Sequence, residues 1–247
     1  MGWRRAEGVK CRSTNSKTEG ASAVKITDNM FVVPEVNCNP YLILDADGLT
    51  LIDTGLPGTQ KKILAYITGL GKTPGDLKRI ILTHADLDHV GGLSALHQAS
   101  GARTYASQIE ADAIAAGKSS RQIKRRGFSW RRLMFTVLGP FMKPKPFQVD
   151  EILTDGQVLP VAGGLRVLDT PGHTPGHISL YASAFGVLFC GDSLVTKGDE
   201  IFGSRPGLTW DDARARASEK KQAALGARIV CSGHGPVVKD AAGKFPV

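Results

Sequence analysis

Apolar positions along this chain come mostly in short β-branched runs punctuated by glycine, proline and aspartate. Residues 30–34, 41–45 and 49–53 read as strands. Asp47-Gly48 between the last two predicts a hairpin, because glycine supplies the positive φ that a tight turn needs. From Thr59 the period lengthens, with Ile63, Leu64, Ile67 and Leu70 at helical spacing until Gly71. Residues 79–83 return to a strand pattern, Gly91-Gly92 breaks the chain, 93–98 reads as a helix and 103–106 as a strand. Strand-like runs resume at Ile152 and continue through 158–161, 165–169, 178–181 and 187–190. An amphipathic helix over 210–225 and a last strand over 228–231 complete the pattern. Two blocks of strands, each followed by helices, predict an α/β fold built as a four-layer αββα sandwich. No Pro/Ser-rich linker divides it, so one domain is expected over 23–247.

Two segments depart from this rhythm. Residues 1–22 are polar and basic with little to bury, and read as a disordered tail. Residues 108–147 read as a helical lid inserted into the domain, basic and aromatic, with Phe128, Trp130, Met134, Phe135, Phe141 and Phe147. Much of the formal charge of +8 collects there, in Arg121, Lys124, Arg125, Arg126, Arg131, Arg132, Lys143 and Lys145. Such a cluster is either a solvated basic face or a surface for anions. No nucleic-acid-binding signature accompanies it, so nucleic acid is not the expected partner.

The longest apolar stretch, 133–142, contains Gly139 and Pro140 and is too short to span a bilayer. Cys11, Cys38, Cys190 and Cys231 form no paired spacing, which fits reduced thiols and a cytoplasmic setting. Nothing in the pattern speaks to oligomeric state.

The chemistry concentrates in Thr83-His84-Ala85-Asp86-Leu87-Asp88-His89-Val90-Gly91-Gly92, directly after a strand. A strand that stops and turns can aim four such side chains into one cavity, and histidines with carboxylates are the ligands of hydrolytic metal sites. The bland reading is a polar loop with helix-capping aspartates. Against it stands the placing of the other histidines. The chain has 6, and His173 and His177 lie in Thr170-Pro171-Gly172-His173-Thr174-Pro175-Gly176-His177, with His234 in Ser232-Gly233-His234-Gly235-Pro236. Asp192 ends the run Phe189-Cys190-Gly191-Asp192. His97 falls on a helix, at the surface or satisfied in the core.

In these motifs, and in their order from about residue 24 to 240, the sequence resembles the metallo-β-lactamase superfamily. Residues 84–89 look like its His-x-His-x-Asp-His motif, followed by its Pro-Gly-His turn at His173, its Gly-Asp strand end at Asp192 and its final Gly-His at His234. Asp53 in Leu51-Ile52-Asp53-Thr54-Gly55 matches its early Asp-Thr-Gly motif, which supports the ligands from behind. The resemblance implies two divalent ions, zinc first with manganese or iron as alternatives. One would take His84, Asp86 and His173, the other Asp88, His89 and His234, with Asp192 between them. His177 is expected to hydrogen-bond locally rather than to ligate. The departure is Asp86, where the family most often has histidine. With Asp86 as a ligand, three carboxylates and a hydroxide carry −4 against +4 from two dications, instead of leaving +1. Such a site should tolerate harder ions, manganese or iron, beside zinc.

Two cations about 3.5–4 Å apart turn water into a nucleophile near neutral pH. Asp88 is the candidate to orient that nucleophile and pass a proton to the leaving group. The expected substrate is a small molecule, apolar or amphiphilic, with an ester, lactone or thioester bond. The histidine turn looks like that of the acyl-homoserine lactonases, although these commonly carry tyrosine where this chain has Val195. Phosphoester or β-lactam hydrolysis on the same residues is the alternative. Iron-dependent oxidation and a non-catalytic binding role are the rivals from other classes.

Overall fold

The structure is a computed structural model and describes residues 24–34, 36–121 and 144–246. The expected N-terminal tail, and residues 122–143 of the expected lid, lie outside the described residues.

Seven strands form one sheet in simple sequence order: β1 Val24–Thr27, β2 Met30–Val32, β3 Tyr41–Asp45, β4 Gly48–Ile52, β5 Leu77–Ile81, β6 Arg103–Ser107 and β7 Glu151–Leu153. The first four pair antiparallel, and β4 to β7 pair parallel. In the β3–β4 hairpin Asp45 lies opposite Gly48, so the turn itself is Ala46-Asp47. Gly48 then takes φ +137 at the first pair, where a Cβ would strike the Asp76 carbonyl at 2.7 Å. The second sheet contains β8 Val158–Leu159, β9 Leu165–Asp169, β10 Ile178–Ala182, β11 Val187–Gly191, β14 Ile229–Ser232 and β15 Val238–Lys239, in the order β15-β14-β11-β10-β9-β8. A separate hairpin of β12 Leu194–Lys197 and β13 Glu200–Gly203 leaves its end. That hairpin and β15 are short, and their sequences carry no alternation long enough to predict them.

The inner faces of the two sheets meet in one core, where Met30, Ile43, Ile52 and Ile81 pack with Leu165, Val167, Leu180 and Phe189. The outer face of the first sheet is covered by α1 Gln60–Gly69, α3 Leu93–Ser100 and α4 Gln108–Ala115, which bury Ile63, Ile67, Leu93, Leu96 and Ile114 against Leu42, Leu51 and Ile80. The outer face of the second packs Leu188, Cys190 and Val230 with Ala223 and Leu225 at the end of α5, Asp212–Ala223. Helix, sheet, sheet and helix are thus the four layers expected. Among the described residues no helix is long and apolar enough to cross a membrane.

Two expectations change in detail. The start of the 108–147 segment is not detached from the scaffold. α4 buries Ala111, Ala113 and Ile114 in the outer core, and Phe147 packs against the same cluster. α5 is also not amphipathic in the apolar sense. Its buried positions, at helical spacing, are Ala215, Ser218 and Gln222. Gln222 Oε1 accepts from Ser193 Oγ at 3.0 Å and Ser179 Oγ at 3.2 Å, and Ser218 Oγ donates to the Pro171 carbonyl at 2.7 Å. Small size and satisfied polar groups let this helix sit close beneath the Pro171-Gly172-His173 turn.

Candidate metal centre

The site forms where strands of both sheets end on the same side. The chain leaves β5 through Leu82 and Thr83, and the short helix α2, Leu87–Val90, turns Asp88 and His89 inward. The first sheet thereby supplies His84, Asp86, Asp88 and His89. From the second sheet come His173 in the turn after β9, Asp192 just past β11 and His234 just past β14.

Asp53, at the end of β4 with φ +61, anchors the first group. Its Oδ1 accepts the Thr83 backbone N–H at 2.9 Å, and its Oδ2 accepts Thr83 Oγ1–H at 2.8 Å. Oδ2 also lies 2.8 Å from His89 Nδ1. The contact with Asp53 at Nδ1 turns the other ring nitrogen of His89, Nε2, toward the cavity. His177 uses both ring nitrogens elsewhere. Nδ1 lies 2.9 Å from Thr170 Oγ1, and Nε2 accepts the Asp192 backbone N–H at 3.1 Å. It is occupied in holding the strand end that carries Asp192.

The seven expected side chains converge in three overlapping groups: His84, Asp86 and His173; His84, His89 and Asp192; Asp88, His89 and His234, the ligand atoms of each within 4.8 Å of one another. Asp86 Oδ2 is 3.3 Å from His173 Nε2 and 3.6 Å from His84 Nε2. Asp192 reaches both sides. Its Oδ2 is 3.6 Å from His173 Nε2 and 3.5 Å from His234 Nε2, and its Oδ1 is 3.4 Å from His89 Nε2. Asp88 Oδ2 is 3.2 Å from His234 Nε2. A cation held tetrahedrally at ligand distances of about 2.0–2.1 Å spaces its ligands about 3.3–3.4 Å apart, which matches this set.

The donor set fits metal ions by a second test. His84 Nε2, His89 Nε2 and Asp192 Oδ1 are buried and have no hydrogen-bond partner. Buried polar atoms are rarely left so, and a cation in the shared space would satisfy all three. The residues around it are deeply enclosed except on one side, where Asp88 is 35% and His234 16% exposed.

Burial and mutual charge set the ionisation of the cluster. Burial would raise the carboxyls of Asp86 and Asp192, but the neighbouring histidines hold both well below the ordinary range; for Asp86, Arg121 contributes. Asp88, despite burial, is brought down to about 2 by His234 and His89. Burial lowers His173 to about 4, so its lone pair is free at neutral pH.

Two partners of Asp86 were not read from the sequence. Ser119 Oγ donates to its Oδ1 at 2.6 Å, and Arg121 Nη2 pairs with its Oδ2. Arg121 belongs to the basic run read as either a solvated face or a surface for anions, yet its side chain is only 8% exposed. Composition alone gave no sign that one member of that run turns inward. Glu110 was also missed. Ser107-Gln108-Ile109-Glu110 reads as an ordinary helix-capping pattern, but Glu110 is fully buried behind the site.

A model of the metallo-beta-lactamase superfamily matches residues 33–234. The chain belongs to that superfamily. Among curated proteins it is 34% identical over 164 residues to the uncharacterized protein YobT of Bacillus subtilis, covering 66% of this chain and 64% of that one. It is 28% identical to the probable metallo-hydrolase YflN of the same organism, over 75% of this chain and 74% of that one. It is 30% identical to the hydroxyacylglutathione hydrolase of Aeromonas hydrophila, over 79% of this chain and 60% of that enzyme. The chain thus spans less than two thirds of the first and third of these superfamily members. Among solved structures, the metallo-beta-lactamase family protein TTHA1429 from Thermus thermophilus aligns with TM-score 0.67 and 25% identity, over 89% of this chain and 78% of that one. TTHA1623 in a di-iron-bound form aligns with TM-score 0.64 and 27% identity, over 87% and 97%.

Proposed function

We propose that this chain is a two-metal hydrolase acting on a small ester, lactone or thioester substrate. The observation that carries the reading is the inward-facing set of His84 Nε2, His89 Nε2 and Asp192 Oδ1, buried and unpartnered at the meeting point of both ligand groups. In this reading His84, Asp86 and His173 hold one ion, Asp88, His89 and His234 hold the other, and Asp192 lies between them. A bound pair of divalent ions supplies a hydroxide nucleophile near neutral pH and polarises the bond under attack.

The protein's own residues do the rest. His173 is neutral at pH 7, so it can ligate without first losing a proton. Asp88 stands at the open side with its carboxyl lowered to about 2. It is ionised at neutral pH and serves as an acceptor that orients the nucleophile. Asp86 adds a negative charge where histidine would be neutral, and the guanidinium of Arg121 against it returns the positive charge. Zinc suits the four imidazoles. The added carboxylate, and the di-iron form of one structural relative, support iron or manganese as alternatives.

A thioester substrate draws support from relatives named as hydroxyacylglutathione hydrolases. The deciding experiment is a hydrolysis screen of chromogenic esters, lactones, thioesters, phosphodiesters and a β-lactam, with zinc, manganese and iron. We expect cleavage in the first three groups, its loss on chelation and its return with added divalent metal. Undiminished activity in the stripped protein, or turnover confined to the phosphodiester or β-lactam, contradicts the proposal.

A further inference from the structure

Glu110 belongs to none of the ligand groups, yet it is fully buried in the first turn of α4. A buried carboxylate is costly unless its oxygens are satisfied, and here four donors satisfy them. Oε1 accepts from Thr174 Oγ1 at 2.6 Å, Ser120 Oγ at 2.8 Å and the Gly176 backbone N–H at 3.0 Å. Oε2 accepts the Ala85 backbone N–H at 2.8 Å.

The identity of these partners is what matters. Ala85 lies between His84 and Asp86. Thr174 follows His173. Ser120 lies between Ser119 and Arg121, which both grip Asp86. Every side-chain or backbone donor to Glu110 adjoins the His84–Asp86–His173 group or its immediate supports, apart from Gly176 in the same turn as His173. None adjoins Asp88, His89 or His234. Gly176 keeps the approach open, since a Cβ there would stand 2.7 Å from Ile109 Cβ. Asp53, by contrast, holds His89 directly and Thr83 through two bonds, and Thr83 Oγ1 lies 3.0 Å from His84 Nδ1.

We infer that Glu110 is a positioning residue for one half of the metal centre. It ties the loop of the first sheet to the turn of the second so that His84, Asp86 and His173 meet at ligand spacing, whereas Asp53 reaches both groups, His89 directly and His84 through Thr83. Glu110 thereby bears on one ion and not on the other, so the affinity of that ion is adjustable through it. The inference rests on the two-metal reading.

Glu110→Gln separates the links. An amide oxygen in the place of Oε1 keeps Thr174, Ser120 and Gly176 as donors, whereas the amide NH₂ confronts the Ala85 N–H. The full chain, stripped of metal, is titrated with Co²⁺ and followed by its visible absorption, with unfolding midpoints as the check on folding. We expect two ions in the wild type. In E110Q one ion should bind about 10–100-fold more weakly and the other should be unchanged. The loss should vanish in an Asp86→Ala background, where that half is already broken, and persist in a His234→Ala background. If E110Q does not fold, Thr174→Val removes one donor without unpairing the carboxylate, and the same one-ion weakening is expected. Equal weakening of both ions, or of neither, overturns the inference. A wild type that binds no Co²⁺ overturns the two-metal reading itself, and needs no variant to show it.

Discussion

At position 86 the chain places an aspartate between two histidines, His84 and His173, whose Nε2 atoms lie 3.6 and 3.3 Å from its Oδ2. The carboxylate is contacted by Ser119 and Arg121 as well, and the Asp86 and Arg121 side chains are 11% and 8% exposed. A charge pair this enclosed is expensive to break from one side, because the surviving charge keeps its desolvation penalty. Arg121→Met should therefore destabilise the metal-free protein on the order of 3 kcal/mol, and a bound cation should recover most of that loss by neutralising the Asp86 carboxylate in its place. Urea unfolding with and without zinc checks this. Equal destabilisation of both forms would show that Arg121 acts through packing alone. The sequence disclosed Asp86, as a departure within a recognisable motif. It did not disclose Arg121 or Glu110, because inward-turned charges have the same letters as solvated ones.

Elements hold the site by close approach rather than by bulk. α5 offers Ala215 and Ser218 to the turn bearing His173, and Gly172 there has φ +146. The Trp210 and Asp211 backbone N–H groups donate to the Gly172 carbonyl at 2.9 and 3.0 Å. A Cβ on Gly172 would lie 2.4 Å from Ala215 Cα and 2.5 Å from Ala215 N. Gly172→Ala should thus cost about 1–3 kcal/mol, displace His173 and reduce metal retention. Ala215→Gly in the same chain should not rescue it, because the collision is with backbone. Unfolding midpoints and metal content of the single and double variants test this, and full rescue would place the strain at the Ala215 side chain instead. Strands and helices with long periodic runs, such as β3, β4, α1 and β9 to β11, were legible from apolar spacing. The β12–β13 hairpin and β15 were not, since strands of four and two residues are set by neighbours rather than by their own pattern.

Across the whole molecule, the two sheets bring His84, Asp86, Asp88 and His89 from one half of the chain to His173, Asp192 and His234 from the other. The motif order told which residues to watch, and the four-layer packing explains why residues up to 150 positions apart in sequence, as His84 and His234 are, lie at one end of a shared core. Substrate choice was less legible, because the ligand motifs fix the fold and the metal-capable side chains and carry no information about the bond to be cleaved. The most direct test is the metal content of the purified, zinc-reconstituted protein beside that of Asp192→Ala. The account predicts two divalent ions per chain in the wild type and at most one when the carboxylate that faces both groups is removed. No stoichiometric metal in the wild type, or two ions retained by Asp192→Ala, would contradict it.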